Sequence, residues 1–427
     1  MKFIWLYTLV ISTLMVLFPI QGFAAGLWLY EQAAPDMGLA AAGRAALSQD
    51  ASTAAANPAG MTLLERNQLE GGLLGIFVDA KFDADSTTFG GGNGGNAGGF
   101  VPAGSFSYVH GITSDLKVGL TAGSNFGLGL DYGDDWAGRY YVQKGELVVM
   151  GVNPGVGYRV NEWLSIGAGF SILYGELTQD VAVNNNPLGV GSSPDGKLKI
   201  DSDDVGYGYN LGVLVLPRSD TRLGLTYRSK IKLKFDDAVN SSNLSPFWNG
   251  LLNQLLGSNR KVDMEINIPQ AVMFSVFHQL NDQWAVMGNI GWQDQSDFGK
   301  TNISLASTDA SSSLTADRNF HDTWHYALGA QYRFAPEWLL SVGVAYDESP
   351  VDNKDRTPDM PLDRQIRYAT GVQYDLNENL TIGAAYTFLD AGDAEISLTN
   401  NPVRGELKGD YSSNYVNFVN VNIVYKF

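Results

Sequence analysis

The sequence predicts an all-β fold, a transmembrane antiparallel β-barrel of about fourteen strands with an N-terminal plug inside its lumen. Three observations predict it. Segments in which apolar residues alternate with small or polar ones recur from about residue 67 to the C-terminus. The connections between them are short turns in some places and long polar loops in others. Beyond the N-terminus no apolar run is long enough for a spanning helix, so residence in a membrane requires strands.

The composition excludes several classes of function. The 427 residues have a net charge of −17, which disfavours nucleic acid as a partner. The chain has no cysteine, so it has neither disulfides nor cysteine-ligated metal. Of the 4 histidines, His321 and His325 are four residues apart on a predicted strand, which lacks the ligand geometry of a helix. We therefore expect no metal site and no cofactor.

The N-terminus has the pattern of a secretory signal. Lys2 precedes an apolar run from Phe3 to Ile20, and small residues surround Ala24. The alternative is a membrane anchor, because the run is nearly long enough to span a bilayer. We expect a signal peptide over residues 1–24, a plug over 25–65 and a barrel over 66–427.

The strand pattern is clearest in "LTIGAAYTF" (380–388), where apolar residues occupy one face and small or polar residues the other. An even number of strands is typical of bacterial outer-membrane barrels, in which short turns face the periplasm and long loops face outward. We expect strands to begin near residues 67, 102, 115, 146, 162, 204, 221, 265, 283, 320, 337, 364, 379 and 415.

Aromatic residues support a membrane location. Trp163, Trp284 and Trp338 directly follow short turns, where they would form a girdle at the periplasmic interface. The alternative is that they are ordinary core tryptophans. The last strand ends in Phe427, and we expect a row of residues on this strand to face lipid: Val419, Val421, Ile423 and Tyr425.

The segment "ALSQDASTAAANPAGM" suits a plug, because its small residues can pack closely inside a tube. Helical spacing covers Gly38–Asp50, and Asn57-Pro58 predicts a turn toward the barrel wall.

The stretch "GLWLYEQAAPDMGLAAAGRAALSQDASTAAANPAGM" resembles the N-terminal hatch of the FadL-type outer-membrane transporters of long-chain fatty acids and aromatic hydrocarbons. Its most specific part is "NPAGM", which begins with Asn57, Pro58 and Ala59. "IPQAVMFSVFHQLNDQWAVMGNIGWQDQSDF" and "FHDTWHYALGAQYRFAPEWLLSVGVAYDESPV" resemble later strands of the same family. The resemblance covers essentially the whole chain after the signal.

The resemblance implies capture of substrate in an outer hydrophobic groove, transfer to an inner pocket and sideways exit at a kink in the third strand. In that strand Gly123, Ser124, Asn125 and Gly127 interrupt the apolar alternation. Because glycine is common throughout the barrel, these residues alone do not establish a kink.

One loop contains a clear helix, "NLSPFWNGLLNQLLG", with an apolar stripe at helical spacing. The stripe is either a landing surface for a hydrophobic molecule or a face that packs against another loop. The candidate substrate contacts on it are Phe247, Trp248, Leu251, Leu252 and Leu255.

A fatty acid also needs a cation for its carboxylate. Arg318 lies near the position of a lysine in the family, and Leu27 matches a hatch residue that lines the family's pocket. Arg139 is a further candidate, although a salt bridge with Asp134 or Asp135 is the simpler interpretation. The family's strand arginine falls in 177–181, which has no basic residue, so a neutral substrate stays open.

We therefore expect a non-enzymatic channel for passive uptake of hydrophobic compounds, with long-chain fatty acids as the first candidate. The alternatives are an aromatic hydrocarbon or alkane transporter of the same family, and a general porin. Ser275 and His278 lie on opposite faces of one strand, which disfavours a lipase. The expected location is the outer membrane of a Gram-negative bacterium, where a monomer contacts lipid and lipopolysaccharide.

Overall fold

The computed structural model describes residues 34–186, 193–257, 259–305, 312–399 and 401–427. Its main sheet has 16 strands, of which β9 and β19 are short additions. The others pair antiparallel in chain order, and the first pairs with the last along its length, so that a barrel of fourteen strands closes. The predicted fold class is confirmed.

The strands are β1 (Gln68–Thr87), β2 (Phe100–Gly111), β3 (Leu116–Asp131), β4 (Lys144–Asn161), β5 (Leu164–Val183), β6 (Gly196–Arg218), β7 (Thr221–Arg228), β8 (Ile231–Ala238), β9 (Asn240–Ser242), β10 (Lys261–Ile268), β11 (Ala271–Gln279), β12 (Trp284–Gln293), β13 (Lys300–Leu305), β14 (Ser312–Asp317), β15 (Thr323–Ala335), β16 (Trp338–Asp347), β17 (Gln365–Asn377), β18 (Leu380–Asp390), β19 (Ile396–Leu398) and β20 (Leu407–Lys426). The described helices are α1 (Ala34–Gly38), α2 (Thr53–Ala56), a 3-10 helix (Pro58–Leu63), α3 (Pro246–Leu256) and α4 (Gln295–Phe298). None of these helices is long and apolar enough to cross a bilayer.

The strand starts agree with the prediction within a few residues, with three exceptions. β6 and β20 begin about eight residues earlier than expected, at Gly196 and Leu407, because their first residues continue the ladders with β5 and β1. The expected strand near residue 265 is β10, which pairs with β8 and β13 in a separate sheet among the long loops. The barrel strand begins only at Ala271, after Pro269 has interrupted the pattern.

In the barrel wall, apolar side chains face outward and polar side chains face the lumen. On β20 the predicted lipid row from Val419 to Tyr425 is 45–50% exposed, whereas Asn420 and Asn422 between them point inward and are 1% exposed. The predicted aromatic girdle is also present: Trp284 stacks on Tyr332 with ring centroids 4.4 Å apart, and Trp163 and Trp338 are exposed at the same end. The wall thus presents apolar residues to lipid and polar residues to the lumen.

The segment Ala34–Leu64, called the hatch below, is almost entirely buried within the barrel. Its predicted helix over Gly38–Asp50 is wrong. Helix α1 ends at Gly38, and Ala40, Ala41 and Gly43 have positive φ angles of 50°, 65° and 73°. Contacts with the wall outweigh the helix propensity of alanine in this segment. The extended backbone of Asn57 between α2 and the 3-10 helix agrees with the predicted turn.

Candidate functional site

The hatch is fixed to the wall by the side chain of Asn57. Its Nδ2 donates to the carbonyl oxygen of Ala45 within the hatch at 2.7 Å and to that of Val213 on β6 at 3.1 Å. Its Oδ1 accepts from the amide of Ala59 at 3.0 Å and so caps the following 3-10 helix. One buried amide therefore holds two turns of the hatch against one strand.

Inward-facing glycines let the hatch backbone approach the wall closely. A Cβ at Gly167 would lie 2.4 Å from the amide nitrogen of Ala59, and a Cβ at Gly157 would lie 2.4 Å from the carbonyl oxygen of Pro58. On another side of the lumen, a Cβ at Gly343 would lie 2.0 Å from the carbonyl oxygen of Leu39. The glycine content of the strands thus reflects contact with the hatch, a signal that is visible only once inward positions are known.

Three wall arginines donate to carbonyl groups of the hatch. Arg222 donates to Leu47 at 2.6 Å and Arg228 donates to Ala55 at 2.7 Å, while Arg159 donates to Thr62. These contacts satisfy carbonyl groups that the short helices of the hatch leave open. The sequence analysis did not select these arginines, because each lies in a strand that is otherwise ordinary.

The wall has an opening beside the third strand. The ladder between β2 and β3 ends at the pair Ser105–Gly123. Beyond it, Phe100–Gly104 pair with β1 and Phe126–Asp131 pair with β4. Over this stretch the described residues form no ladder between β2 and β3, so that the sheet separates there.

The predicted kink lies at this opening. The register of β3 against β4 shifts between Ser124 and Phe126, which leaves Asn125 as an extra residue. Gly127 follows with a φ of 155°, and a Cβ there would lie 2.6 Å from the carbonyl oxygen of Leu147. The bulge and the glycine therefore lie where the ladder between β2 and β3 has ended.

A cavity of about 60 Å³ connects the opening with the hatch. Ser105 and Gly123 line it at the opening, Ser52 and Ala55 line it from the hatch, and Arg228 contributes a cation. Its apolar lining consists of Phe106, Ala122, Val152, Leu173, Ile231 and Ile268. The rest of the lining is polar and includes Thr121, Asn153, Ser171, Asn210 and Ser229. A cavity with one cation and both polar and apolar side chains can accommodate the head group of an amphiphile.

Comparisons with known proteins identify the family of this barrel. The family model for outer membrane protein transport proteins (OMPP1/FadL/TodX) matches residues 15–427. The chain belongs to this family. It is therefore an outer-membrane transport protein for hydrophobic compounds.

Relatives cover most of the chain. A long-chain fatty acid transport protein of Escherichia coli is 27% identical over 395 residues, which are 86% of this chain and 87% of the relative. Outer membrane protein P1 of Haemophilus influenzae is 26% identical over 412 residues, 86% of each chain. A FadL homologue of Pseudomonas aeruginosa has the same fold, with a TM-score of 0.84 at 20% identity over 94% of this chain and 100% of that chain. The structure of the P. putida toluene transporter TodX matches with a TM-score of 0.63 at 18% identity, over 87% of this chain and 92% of that chain.

The predicted loop helix is present as α3, but most of its apolar stripe is buried. Trp248, Leu252 and Leu255 belong to a large apolar cluster that also contains Leu233 and Phe235 of β8. Leu251 is half-buried against this cluster. Most of the apolar stripe therefore packs against another loop. Of the predicted substrate contacts on α3, Phe247 is exposed, at 68%.

Arg318 is buried and already holds a carboxylate. Its Nη1 lies 3.0 Å from Oδ2 of Asp359 and 3.1 Å from Oγ1 of Thr357. Burial raises the pKa of Asp359, and the neighbouring Arg318 partly offsets this effect. The pair connects two extracellular loops outside the cavity, so Arg318 does not face the substrate path described above.

Arg139 forms a salt bridge, as the simpler interpretation held, but the predicted partner was wrong. Its Nε lies 2.9 Å from Oδ2 of Asp195 rather than near Asp134 or Asp135. Partial burial opposes the charged form, but the bond with Asp195 and the neighbouring Tyr140 outweigh it and raise the pKa of Arg139. The loop that carries Asp195 is distant in sequence, so spacing did not indicate the pair.

The remaining predicted residues have different outcomes. Leu27 lies outside the described residues. Gly123 lines the cavity. Pro58 and Ala59 lie in the hatch and are close to glycines of the barrel wall. Among the residues that the structure describes, it is Arg228 that brings a positive charge to the cavity, and the sequence analysis missed it.

Proposed function

We propose that this protein takes up long-chain fatty acids by passive diffusion and releases them sideways between β2 and β3. The observation that carries the proposal is the cavity between the hatch and the end of the β2–β3 ladder. A substrate in this cavity can reach the lipid-facing side of the wall without crossing the hatch. No energy source is required, because burial of each methylene in the membrane is favourable by about 0.8 kcal/mol.

The cavity suits a carboxylate head group. Arg228 already donates to an uncharged oxygen there, the carbonyl of Ala55. A carboxylate is a stronger acceptor for a guanidinium than a peptide carbonyl. A bound fatty acid would therefore compete for Arg228 and weaken one contact of the hatch with the wall.

Capture would begin among the extracellular loops. Phe247 projects from α3 beside a large apolar cluster, and it offers an exposed ring to an acyl chain. The relatives named as long-chain fatty acid transport proteins support this cargo. TodX, named a toluene transporter, supports the alternative of an aromatic hydrocarbon, which would not need Arg228.

The sideways path is tested by a cross-link. The chain has no native cysteine, so Gly104→Cys with Ser124→Cys can be joined across the opening by a reducible bis-methanethiosulfonate linker. We expect uptake of a fluorescent fatty acid into cells to fall sharply and to recover on reduction. Ile166→Cys with Val213→Cys, paired across the continuous β5–β6 ladder, is the matched control. Equal uptake with both linkers in place would reject lateral exit.

The cargo is tested by charge. Arg228→Gln should lower the affinity for oleate about tenfold, equivalent to about 1.4 kcal/mol, and should leave toluene uptake unchanged. Arg222→Gln is the control, because Arg222 also donates to a hatch carbonyl but does not line the cavity. If Arg228→Gln reduces oleate and toluene uptake equally, the carboxylate site is wrong and a neutral hydrocarbon becomes the better assignment.

A further inference from the structure

The connection between β1 and β2 contains a glycine-rich stretch with a defined path. Residues 90–99, called the strap below, have the sequence GGGNGGNAGG. Four of its glycines have φ angles between 63° and 123°, namely Gly90, Gly91, Gly94 and Gly95. This backbone conformation is open to glycine and strained for other residues. The glycine content of the strap therefore reflects a specific series of turns.

The strap lies against β1 on one side. The amide of Ala97 donates to the carbonyl oxygen of Ala80 at 2.8 Å. The amide of Val78 donates to the carbonyl oxygen of Gly99, also at 2.8 Å. Since β2 begins directly after the strap and pairs with β1, these bonds continue the path of β2 along β1 toward the extracellular end.

Two further contacts position the strap on β1. Oδ1 of Asn96 accepts from the amides of Ala80 at 2.9 Å and Gly98 at 3.0 Å. Gly98 approaches β1 so closely that a Cβ there would lie 2.2 Å from the carbonyl oxygen of Val78. At the neighbouring Gly99, a Cβ would have nothing within 4 Å. A side chain at position 98 would therefore push the strap away from β1, whereas one at position 99 would not.

On its other side the strap bonds to β3 and to the loop that follows it. The carbonyl oxygen of Ala97 accepts from the amide of Asp131, the last residue of β3, at 2.8 Å. Gly92 donates to the carbonyl oxygen of Asp135 at 3.1 Å and accepts from the amide of Ala137 at 2.7 Å. Ala97, which is 2% exposed, thus joins β1 through its amide to β3 through its carbonyl group.

These bonds give the opening in the wall a second rim. The lower rim is the pair Ser105–Gly123, where the β2–β3 ladder ends, and the upper rim is the bond between Ala97 and Asp131. Between the rims, residues 98–104 and 124–130 form no ladder with each other among the residues that the structure describes. At about 3.3 Å per residue, the opening is about 20 Å long.

A second rim limits how far the opening can widen. A gap with one rim can splay like a fork, because only one end holds the two strands at the ladder spacing of about 4.8 Å. The strap holds β3 by a backbone hydrogen bond at the other end as well. β3 can then separate from β2 only by bowing between two fixed points, which restricts the width that a passing molecule can use.

We propose that the strap determines the size selectivity of sideways exit, so that a straight acyl chain passes more readily than a tail with a bulky end group. This inference rests on the proposed exit between β2 and β3. Ala97 forms the upper rim, and Asn96 and Gly98 position it. None of the three lines the inner cavity, so they act on the width of the opening and not on the binding of the head group.

The test compares the uptake of two acids by cells that carry the full-length protein: radiolabelled palmitate, and palmitate with a terminal pyrene group. Gly98→Val should displace the strap from β1 and raise the uptake ratio of the pyrene-bearing acid to palmitate about tenfold, the scale of discrimination by shape in an apolar site. Gly99→Val is the matched control, because it adds the same side chain where space is free, and it should keep the natural ratio.

Folding is checked by the heat-dependent gel shift of barrel proteins. If Gly98→Val fails to fold, Asn96→Ala provides the second variant, because it removes the side-chain anchor of the strap without adding bulk and should also raise the ratio. Spin labels at Gly104→Cys and Ser124→Cys report the width of the opening independently of any cargo, and their dipolar coupling should weaken when the upper rim is displaced.

The outcomes separate the size selectivity from the exit itself. An unchanged ratio in a folded Gly98→Val or Asn96→Ala chain would overturn the role of the strap, even if the coupling weakens, and lateral exit would stand. The bis-methanethiosulfonate linker across Gly104→Cys and Ser124→Cys should block both acids in a chain with the natural strap. If this linker blocks neither acid, lateral exit is wrong, and the size selectivity of the opening is rejected with it.

Discussion

The extracellular loops and the hatch are held in place in different ways. Beneath α3 the buried side chains are large and apolar, and they include Leu233, Phe235 and Leu252 at 0% exposure. The hatch instead presents alanine and glycine, and its specific contacts are hydrogen bonds from Asn57 and wall arginines to backbone carbonyls.

This difference has a mechanical consequence. Apolar packing is non-directional and grows with the area buried, so the loop region forms one continuous body that opens only at a large cost. A hydrogen bond contributes about 1 kcal/mol net, and another acceptor can replace the one that is lost. We therefore expect the hatch to be held less strongly than the loop region.

The largest effect is expected in the loop region. Leu252→Asp places a carboxylate in a dry apolar cluster and should destabilise the loops by several kcal/mol. Phe247→Asp, on the exposed side of the same helix, should leave their stability nearly unchanged and should weaken capture of a fluorescent fatty acid by cells. Limited proteolysis of the segment 229–270 measures the first effect, and uptake measures the second.

Two results would contradict this contrast between the loop region and the hatch. If Leu252→Asp resists proteolysis as well as the natural chain does, the cluster is hydrated, and the contrast with the hatch is lost. Normal uptake by Phe247→Asp would remove this ring from the capture surface, although the stability argument would stand.

A smaller effect is expected in the hatch. Asn57→Ala removes the bonds to Ala45 and Val213 and the cap on Ala59, and it should destabilise the hatch by about 1–3 kcal/mol. Asn57→Asp keeps the acceptor for Ala59 but places a buried carboxylate beside the carbonyl oxygens of Ala45 and Val213, which repel it. Hydrogen exchange of residues 45–64 should therefore rise in both variants, and more in Asn57→Asp.

Barrel strands provide the internal reference for this experiment, because their exchange should not change in either variant. Equal exchange of the hatch in the natural chain and in Asn57→Ala would mean that glycine contacts, rather than the asparagine, fix the hatch in the lumen. The comparison would then rest on shape instead of hydrogen bonds.

The barrel was predictable because its signals are local. These signals are the alternation of apolar and polar residues with a period of two, the length of the turns and the position of Trp163, Trp284 and Trp338. Each depends on a few neighbouring residues and indicates how the strands are placed in the membrane. The predicted helix over Gly38–Asp50 failed for the complementary reason. Its conformation follows from contacts such as that of Leu39 with Gly343, about 300 residues away in the chain.

The candidate site shows the same division. The glycines of β3 indicated a kink, but only strand pairing shows that the β2–β3 ladder ends at Gly123. Arg139 and Arg318 were selected as cations, yet both are occupied by carboxylates from other loops. Arg228 drew no attention in its strand, because nothing local indicates that its guanidinium reaches the inner cavity.

By itself, the sequence determined the barrel, its orientation by loop length, its family and the small-residue character of its hatch. The tertiary structure decided which cation lines the inner cavity, which glycines receive the hatch and where Ala97 joins β1 to β3. The physical reason is range: backbone periodicity acts between neighbours, whereas ion pairs, close approaches and buried polar groups depend on partners that only closure of the barrel brings together.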